Sequence, residues 1–213
     1  MNKLILNFKS KDSKKIKSVK NFLGGKGANL SEMGRMGLPV PPGFTISTKV
    51  CEIFYKDKKK LNNKLIGQIK KELKIIEKDV SKKFGDLKNP LLLSVRSGAR
   101  VSMPGMMDTI LNLGLNDKTV IALADKTSNG RFAKDSYRRF IQMYGNVVMG
   151  VESYHFEELI ENYKLTKGVL LDTELEEEDW DGLIKDFKNT VKEKANKDFP
   201  QDVYQQLFGA ISS

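Results

Sequence analysis

A glycine-rich segment near the start of the chain has the residue types that hold polyphosphates. Residues 23–30, with the sequence LGGKGANL, place Lys26 among glycines, which let a ligand approach the backbone closely. A helix is predicted to begin at Ala28, and the free N–H groups and positive dipole end of a helix N-terminus attract anions. The spacing is not that of a Walker A motif. Taken alone, the segment fits a flexible turn with a surface lysine better than a phosphate site.

A second segment delivers an arginine from the end of a strand. Residues 91–95 form a largely apolar run that predicts a buried strand, and Arg96 follows directly in the sequence LSVRSGAR. The guanidinium fork suits phosphate oxygens, and a side chain at a strand end is held firmly. Arg100 lies further on, in a predicted loop. Binding of a phosphate and pairing with a core carboxylate are equally compatible with this placement of Arg96.

A third segment, residues 102–109 with the sequence SMPGMMDT, predicts a loop. Glycine and proline shape its backbone, and its methionines give it an adaptable apolar surface that would suit a nucleotide. Methionine is also a common filler of core gaps, and the segment alone favours that simpler interpretation. Asp108 has the chemistry to ligate a metal or to cap a turn, and the turn cap is favoured.

A fourth segment, residues 135–144, predicts a helix with an apolar face. The residues that share this face are predicted to be core: Tyr137, Phe140, Ile141 and Tyr144. Arg138 is predicted to make a local ion pair, whereas Arg139 has the reach to contact a phosphate or a partner domain.

Two further residues invite a chemical role that their surroundings do not support. His155 is the single histidine, but no nucleophile or metal-ligand spacing accompanies it, so a structural role is predicted. Cys51 is the single cysteine, which excludes an internal disulfide and a cysteine-based metal site and suits a reducing compartment. Trp180 is predicted to be a packing residue.

The elements that must position these segments change character along the chain. Strands are predicted at 3–8, 44–47, 91–95 and 108–113, and the first part also holds helices at 28–35, 48–55 and 62–84, with Thr48 as a helix cap. Helices are predicted later near 118–126, 131–149, 153–166, 176–195 and 200–212. The predicted domains are an α+β nucleotide-binding subdomain over residues 1–115, rejoined by 202–213, and a helical subdomain over 116–201.

Composition bounds the class of protein and its partners. The chain has 213 residues, 39% hydrophobic and 30% charged, as in globular domains, and its formal net charge is +10. The excess is mostly lysine without a basic stripe interleaved with aromatics, so a solvated surface is favoured and no nucleic-acid partner is expected. No apolar run is long enough for a signal sequence or a membrane span. A cytoplasmic protein with no membrane partner is therefore expected.

Taken together, the segments resemble the nucleotide-binding region of the pyruvate, phosphate dikinase family. Residues 90–114 carry most of the resemblance, supported by residues 24–33, 42–45 and 131–144, and it spans essentially the whole chain. It implies an α+β fold: an incomplete ATP-grasp-like nucleotide-binding domain with a largely helical inserted subdomain. An amino-terminal piece of such an enzyme is expected, and the apolar helix at the end of the chain hints at a continuation.

The resemblance also implies roles for single residues. Lys26 is similar to a lysine that contacts the phosphates of ATP, Arg96 to an arginine that clamps them, and residues 98–107 to a loop that lies over the nucleotide. Arg139 is similar to an arginine near the phosphate site and the docking surface of a neighbouring domain. The implied ATP-binding residues are Lys26, Arg96, Gly98, Arg100, Ser102, Met103, Gly105, Met107, Asp108, Thr109 and Arg139.

The family reaction converts ATP, phosphate and pyruvate to AMP, pyrophosphate and phosphoenolpyruvate through a phosphohistidine. The resemblance implies that this histidine, the pyruvate-binding domain and the ligands of Mg²⁺ lie outside the chain, since His155 is not in a Thr-Ser-His-Ala-like context. No catalytic residue, no metal site and no turnover are therefore expected of the chain alone. Its expected partners are ATP and the missing domains, in an enzyme that is a homodimer.

Two alternatives remain at the level of the sequence. A phosphoenolpyruvate synthase-like dikinase also has a Gly-Gly-Lys turn and an Arg-Ser strand end, but it lacks the run MPGMMDTILN found here. A truncated, non-catalytic nucleotide-binding or interaction module is the other alternative. The position of the stop codon in the parent gene discriminates between this module and a piece of a longer enzyme.

Overall fold

The computed structural model describes residues 4–98 and 108–213 of the chain. These residues fall into two compact units, the first comprising 4–81 and 96–98 and the second comprising 82–95 and 108–211. The domain boundaries predicted from the sequence, after residues 115 and 201, differ from this division and stay predictions. Within the described part of the chain, no helix combines the length and apolar composition needed to cross a membrane.

The first unit combines helices with a short antiparallel strand pair. Its elements are strands β1 (Ile5–Asn7) and β2 (Phe44–Ile46), helices α1 (Val19–Arg35), α2 (Thr48–Lys56) and α3 (Asn63–Val80), and a 3-10 helix at Lys11–Lys15. In the strand pair, Leu6 lies opposite Thr45. The apolar residues of α3 that recur at helical spacing are buried: Leu65, Ile69, Leu73 and Ile76.

The end of α3 differs from the sequence prediction, which carried a helix to residue 84. The helix ends at Val80, because Ser81 is the C-cap residue and adopts the left-handed conformation, with φ 53° and ψ 39°. Lys83 and Phe84 then form a strand that pairs parallel with Pro90 and Leu91. A left-handed residue that is not glycine leaves no clear signal in the sequence.

The second unit is mainly helical. Its elements are strands β3 (Lys83–Phe84), β4 (Pro90–Leu91), β5 (Leu93–Arg96) and β6 (Thr109–Leu113), helices α4 (Thr119–Thr127), α5 (Gly130–Val147), α6 (Ser153–Lys167), α7 (Glu177–Ala195) and α8 (Val203–Ser212), and a 3-10 helix at Asp172–Glu174. Strands β5 and β6 are neighbours in one sheet. The predicted buried strand at residues 91–95 is wrong in its burial, because β5 alternates half-buried and exposed residues and is separate from β4.

Helix α5 lies at the centre of the second unit's core. The predicted core face of this helix is confirmed, since all its members are buried: Tyr137, Phe140, Ile141 and Tyr144. Phe199 meets three of these rings edge-on at centroid distances of 5.6 to 6.2 Å, a favourable aromatic geometry. The packing role predicted for Trp180 is also confirmed, because its side chain is fully buried.

Gln206 of α8 connects distant parts of the second unit by hydrogen bonds. Its side chain is fully buried. The side-chain amide donates to the carbonyl oxygens of Leu115 and Pro200 at 2.9 and 2.8 Å, and its carbonyl accepts from the backbone N–H of Gly114 at 3.2 Å. These bonds fix the turn that follows β6, where the chain enters α4. Buried polar backbone groups without such partners would be costly.

We therefore expect Gln206→Met to lower the free energy of unfolding by about 3 kcal/mol, since buried backbone groups would lose their partners while volume is nearly kept. Urea unfolding followed by circular dichroism measures this loss. Gln205 precedes it on the same helix and is exposed. Gln205→Met is the matched control and should change stability by less than about 0.5 kcal/mol. Equal effects of the two substitutions would contradict the role given to Gln206.

Candidate functional site

The glycine-rich segment lies inside helix α1, not in a turn ahead of it. The backbone of α1 is interrupted at Gly24, which has φ 72° and ψ 171°, and is helical again from Gly25. That region of backbone space is essentially restricted to glycine. The sequence-based start at Ala28 is therefore wrong, because one glycine is enough to break and restart the helix. The restart turns the N–H groups of a new first turn toward the break, where they favour negative charge.

The glycines that follow the break have different surroundings. A Cβ atom on Gly27 would lie 2.7 Å from Thr45 Cγ2 and 2.8 Å from its Oγ1, so α1 packs against β2 at a distance only glycine allows. A Cβ atom on Gly25 would meet no heavy atom within 4 Å in the described part of the chain. Packing thus accounts for glycine at position 27. At position 25 glycine instead leaves open space beside the restarted helix, a feature that the sequence prediction did not single out.

The cations predicted to bind phosphate are exposed. Lys26 follows Gly25 in the restarted helix, and its side chain is exposed. Arg96 is the last residue of β5 and is exposed, as is Gly98 two residues later. All three fall within the first unit, and the division between the two units runs between Val95 and Arg96, the last two residues of β5. Their contact with a ligand stays a prediction.

The other predicted ligand contacts divide into two groups. Asp108, which is exposed, directly precedes strand β6, and the half-buried Thr109 is the first residue of that strand, both in the second unit. The remaining loop residues of the predicted site lie outside the described residues, namely Arg100, Ser102, Met103, Gly105 and Met107.

The paired arginines of α5 have separate environments. Arg138 is 5% exposed, and its Nη2 lies 2.6 Å from Asp135 Oδ1, which confirms the predicted local ion pair. Its guanidinium also lies over the ring of Trp180 at 4.8 Å, and burial lowers the pKa of Arg138 although Asp135 opposes that shift. Arg139 binds the other oxygen of Asp135 at 3.0 Å, with a side chain that is 59% exposed. One carboxylate therefore orients both arginines, and only Arg139 presents a guanidinium to solvent.

A shallow groove beside the first half of α1 was not foreseen from the sequence. It has a volume of about 320 Å³ and is lined by residues that include Lys17, Phe22 and Lys49. Thr48 also lines it, and its hydroxyl donates to the carbonyl oxygen of Asn21 at 2.7 Å. Thr48 is therefore not the predicted helix cap, because α2 begins at Thr48 itself and Ser47 occupies the cap position.

The single histidine has an aromatic neighbour. His155 is half-buried in α6, with its ring tilted against that of Tyr154 at a centroid distance of 4.0 Å. Across residues 4–98 and 108–213, no three His, Cys, Asp or Glu side chains are grouped so that they would hold a metal ion.

Comparison with known proteins finds a matching family model and similar curated proteins. Residues 20–72 match the family model described as the pyruvate phosphate dikinase AMP/ATP-binding domain. The chain is 52% identical to pyruvate, phosphate dikinase of Clostridium symbiosum over 197 aligned residues. The aligned region covers 92% of this chain and 22% of that protein. The chain is 53% identical to the chloroplastic enzyme of Mesembryanthemum crystallinum, covering 92% and 21%, and 50% identical to the enzyme of Entamoeba histolytica, covering 90% and 22%. The chain thus spans about one fifth of the length of these curated relatives.

The contact between Gly27 and Thr45 gives a stability test. We expect Gly27→Ala to lower the free energy of unfolding by about 1–3 kcal/mol, because the stiff, β-branched Thr45 must move or α1 must lift from β2. Gly25→Ala is the matched control, since open space and helical backbone should make it neutral or stabilising by about 0.5 kcal/mol.

A double substitution separates this clash from other causes. Removing the side-chain atoms that meet the new Cβ, by adding Thr45→Ala to Gly27→Ala, should restore part of the lost stability. Urea unfolding of the four proteins in the double-mutant cycle measures the coupling. Purely additive losses would show that the contact does not set the requirement for glycine.

Proposed function

Because this chain belongs to the pyruvate, phosphate dikinase family, we propose that it is the amino-terminal ATP-binding portion of such an enzyme. The complete enzyme would convert ATP, phosphate and pyruvate to AMP, pyrophosphate and phosphoenolpyruvate through a phosphohistidine on another domain. The observation that carries this proposal is the restart of α1 at Gly25, with Lys26 in its first turn, inside the matched residues 20–72. The relatives compared above are pyruvate, phosphate dikinases, which favours this enzyme over a phosphoenolpyruvate synthase-like one.

The restarted helix supplies the features a triphosphate needs. Its first-turn N–H groups and dipole favour an anion at the break, and the missing side chain at Gly25 leaves room for phosphate oxygens to reach the backbone. Lys26 adds a mobile charge from the same turn. Arg96 would hold the phosphates as a planar fork from the end of β5. Phosphoryl transfer depends chiefly on such positioning and charge neutralisation, so these residues would orient ATP for attack by the acceptor.

The finer features of the proposal concern parts of the site beyond these residues. We place residues 98–107 over the nucleotide and Arg139 at the edge that meets the neighbouring domain, in an ATP-grasp-like fold. We place the ligands of the Mg²⁺ that ATP chemistry requires in another part of the enzyme. The chain alone would then bind ATP weakly and would not turn it over.

Titration calorimetry with ATP tests the proposal. We expect a dissociation constant in the millimolar range for this chain, and micromolar binding for a longer protein that carries the rest of the ATP-binding region. In the longer protein, Lys26→Ala and Arg96→Ala should each weaken binding about tenfold, since each removes a charge-assisted contact. Lys20→Ala, which removes an exposed lysine ahead of the break in α1 but no proposed contact, is the control and should weaken binding by no more than about twofold through its charge alone. Unchanged affinity in the first two variants would overturn their assignment, and micromolar binding by the chain alone would show that its site is already complete.

Gly25 allows a test that separates binding from folding. A methyl group at this position meets no protein atom, so Gly25→Ala should keep or slightly raise stability. It would occupy the space proposed for phosphate oxygens, so ATP affinity of the longer protein should fall at least tenfold. Urea unfolding and calorimetry on the same preparation measure the two effects. Full ATP affinity in the Gly25→Ala protein would place the phosphates elsewhere.

A further inference from the structure

Charge is divided unequally between the two compact units. The described residues of the first unit contain 19 Lys and Arg against 7 Asp and Glu, a net charge of +12. The second unit contains 16 basic and 20 acidic residues, a net charge of −4. A general preference of the chain for lysine would raise the net charge of both units alike. The excess of positive charge is instead confined to the first unit. An asymmetry of this kind indicates an anionic partner.

Part of the positive charge forms a stripe along α3. Its four members are all exposed: Lys64, Lys71, Lys74 and Lys78. At 100° per residue they fall within an arc of about 80°, on the side of α3 opposite its buried apolar face. We call these four side chains the lysine stripe. They lie outside the segments that resemble phosphate-binding motifs.

We infer that the lysine stripe attracts the triphosphate of ATP toward the first unit without touching it. This inference rests on the proposed function. A compact unit of about 80 residues has a radius of gyration of about 12 Å, so points on its surface lie within roughly 30 Å of each other. At 50 mM salt the Debye length is about 14 Å, so four charges up to about two Debye lengths away still act together on a polyanion, and at high salt they are screened. The stripe would thus raise the local concentration of the nucleotide while Lys26 and Arg96 hold it.

The composition of α3 favours a small polyanion over a nucleic acid. Proteins that bind single-stranded nucleic acids combine positive charge with aromatic side chains on which bases stack. The segment Asn63–Val80 contains no aromatic residue. The exposed face of α3 therefore has a positive electrostatic field but no aromatic side chains on which bases could stack, a combination that suits a soluble triphosphate.

An NMR titration of this chain with ATP, free of divalent cations, tests the inference at two fixed ionic strengths. The amide signals of Gly25 and Gly27 report binding at the break in α1 and do not report diffuse association with lysines elsewhere. Replacing all four lysines of the stripe by Glu should weaken binding about fivefold at 50 mM ionic strength and leave it unchanged at 500 mM. Replacement by Gln should give about half of that effect on a logarithmic scale.

Replacing the same four lysines by Arg is the matched control, because it keeps every charge and should preserve affinity. Circular dichroism and the dispersion of the amide spectrum establish that each variant is folded. Equal affinity of the Glu variant and the parent at 50 mM, or a loss in the Arg variant, would overturn steering by charge. If ATP moves neither glycine signal in the parent chain at either salt concentration, the proposed function fails, and the inference fails with it.

Discussion

The backbone conformation of Gly24 is the constraint on which the first unit's arrangement depends. With φ 72° and ψ 171°, this residue occupies a region of backbone conformation that residues with a Cβ atom avoid. The conformation breaks α1 without removing its second half, which continues to Arg35. A loop of several residues would have left the direction of the new helix loosely fixed. A single-residue break instead ties the restarted turn to a helix that already packs against the strand pair.

The contact at Gly27 makes that arrangement firm. Thr45 lies opposite Leu6 in the strand pair, so its position is set by the sheet, and α1 is pressed against it. The glycines of the segment therefore act by different physical means: one by its backbone angles, one by packing, and Gly25 by leaving space. Only the open space at Gly25 is proposed to receive a ligand. A binding site built this way would need little rearrangement when a ligand binds, because folding has already fixed the backbone conformation of α1.

Periodicity predicted most of the helices, and residue chemistry predicted the ion pair of Arg138, because both depend on local sequence. What could not be predicted depends on single conformations or on distant partners. Two adjacent glycines signal a turn, and nothing local shows that the helix resumes immediately at Gly25. An apolar run indicates a buried strand, yet the burial of β5 depends on what packs over it. Gln206 bonds to a turn some ninety positions earlier in the chain, so its role is invisible to any local pattern.

The electrostatics of the chain work over two ranges. Around α5 the charges are compensated at contact distance, as where Asp135 binds both Arg138 and Arg139, and the buried pair of Asp135 with Arg138 is little affected by salt. The lysine stripe is exposed, and the described residues of the first unit carry a net charge of +12, so the field of the stripe extends into solvent and is reduced by ions. At physiological ionic strength the Debye length is about 8 Å, so long-range attraction is weak and selectivity must reside in groups that touch the ligand. In this proposal, long-range charge attracts the nucleotide and short-range contacts select it. Only the short-range contacts require the geometry that Gly24 imposes.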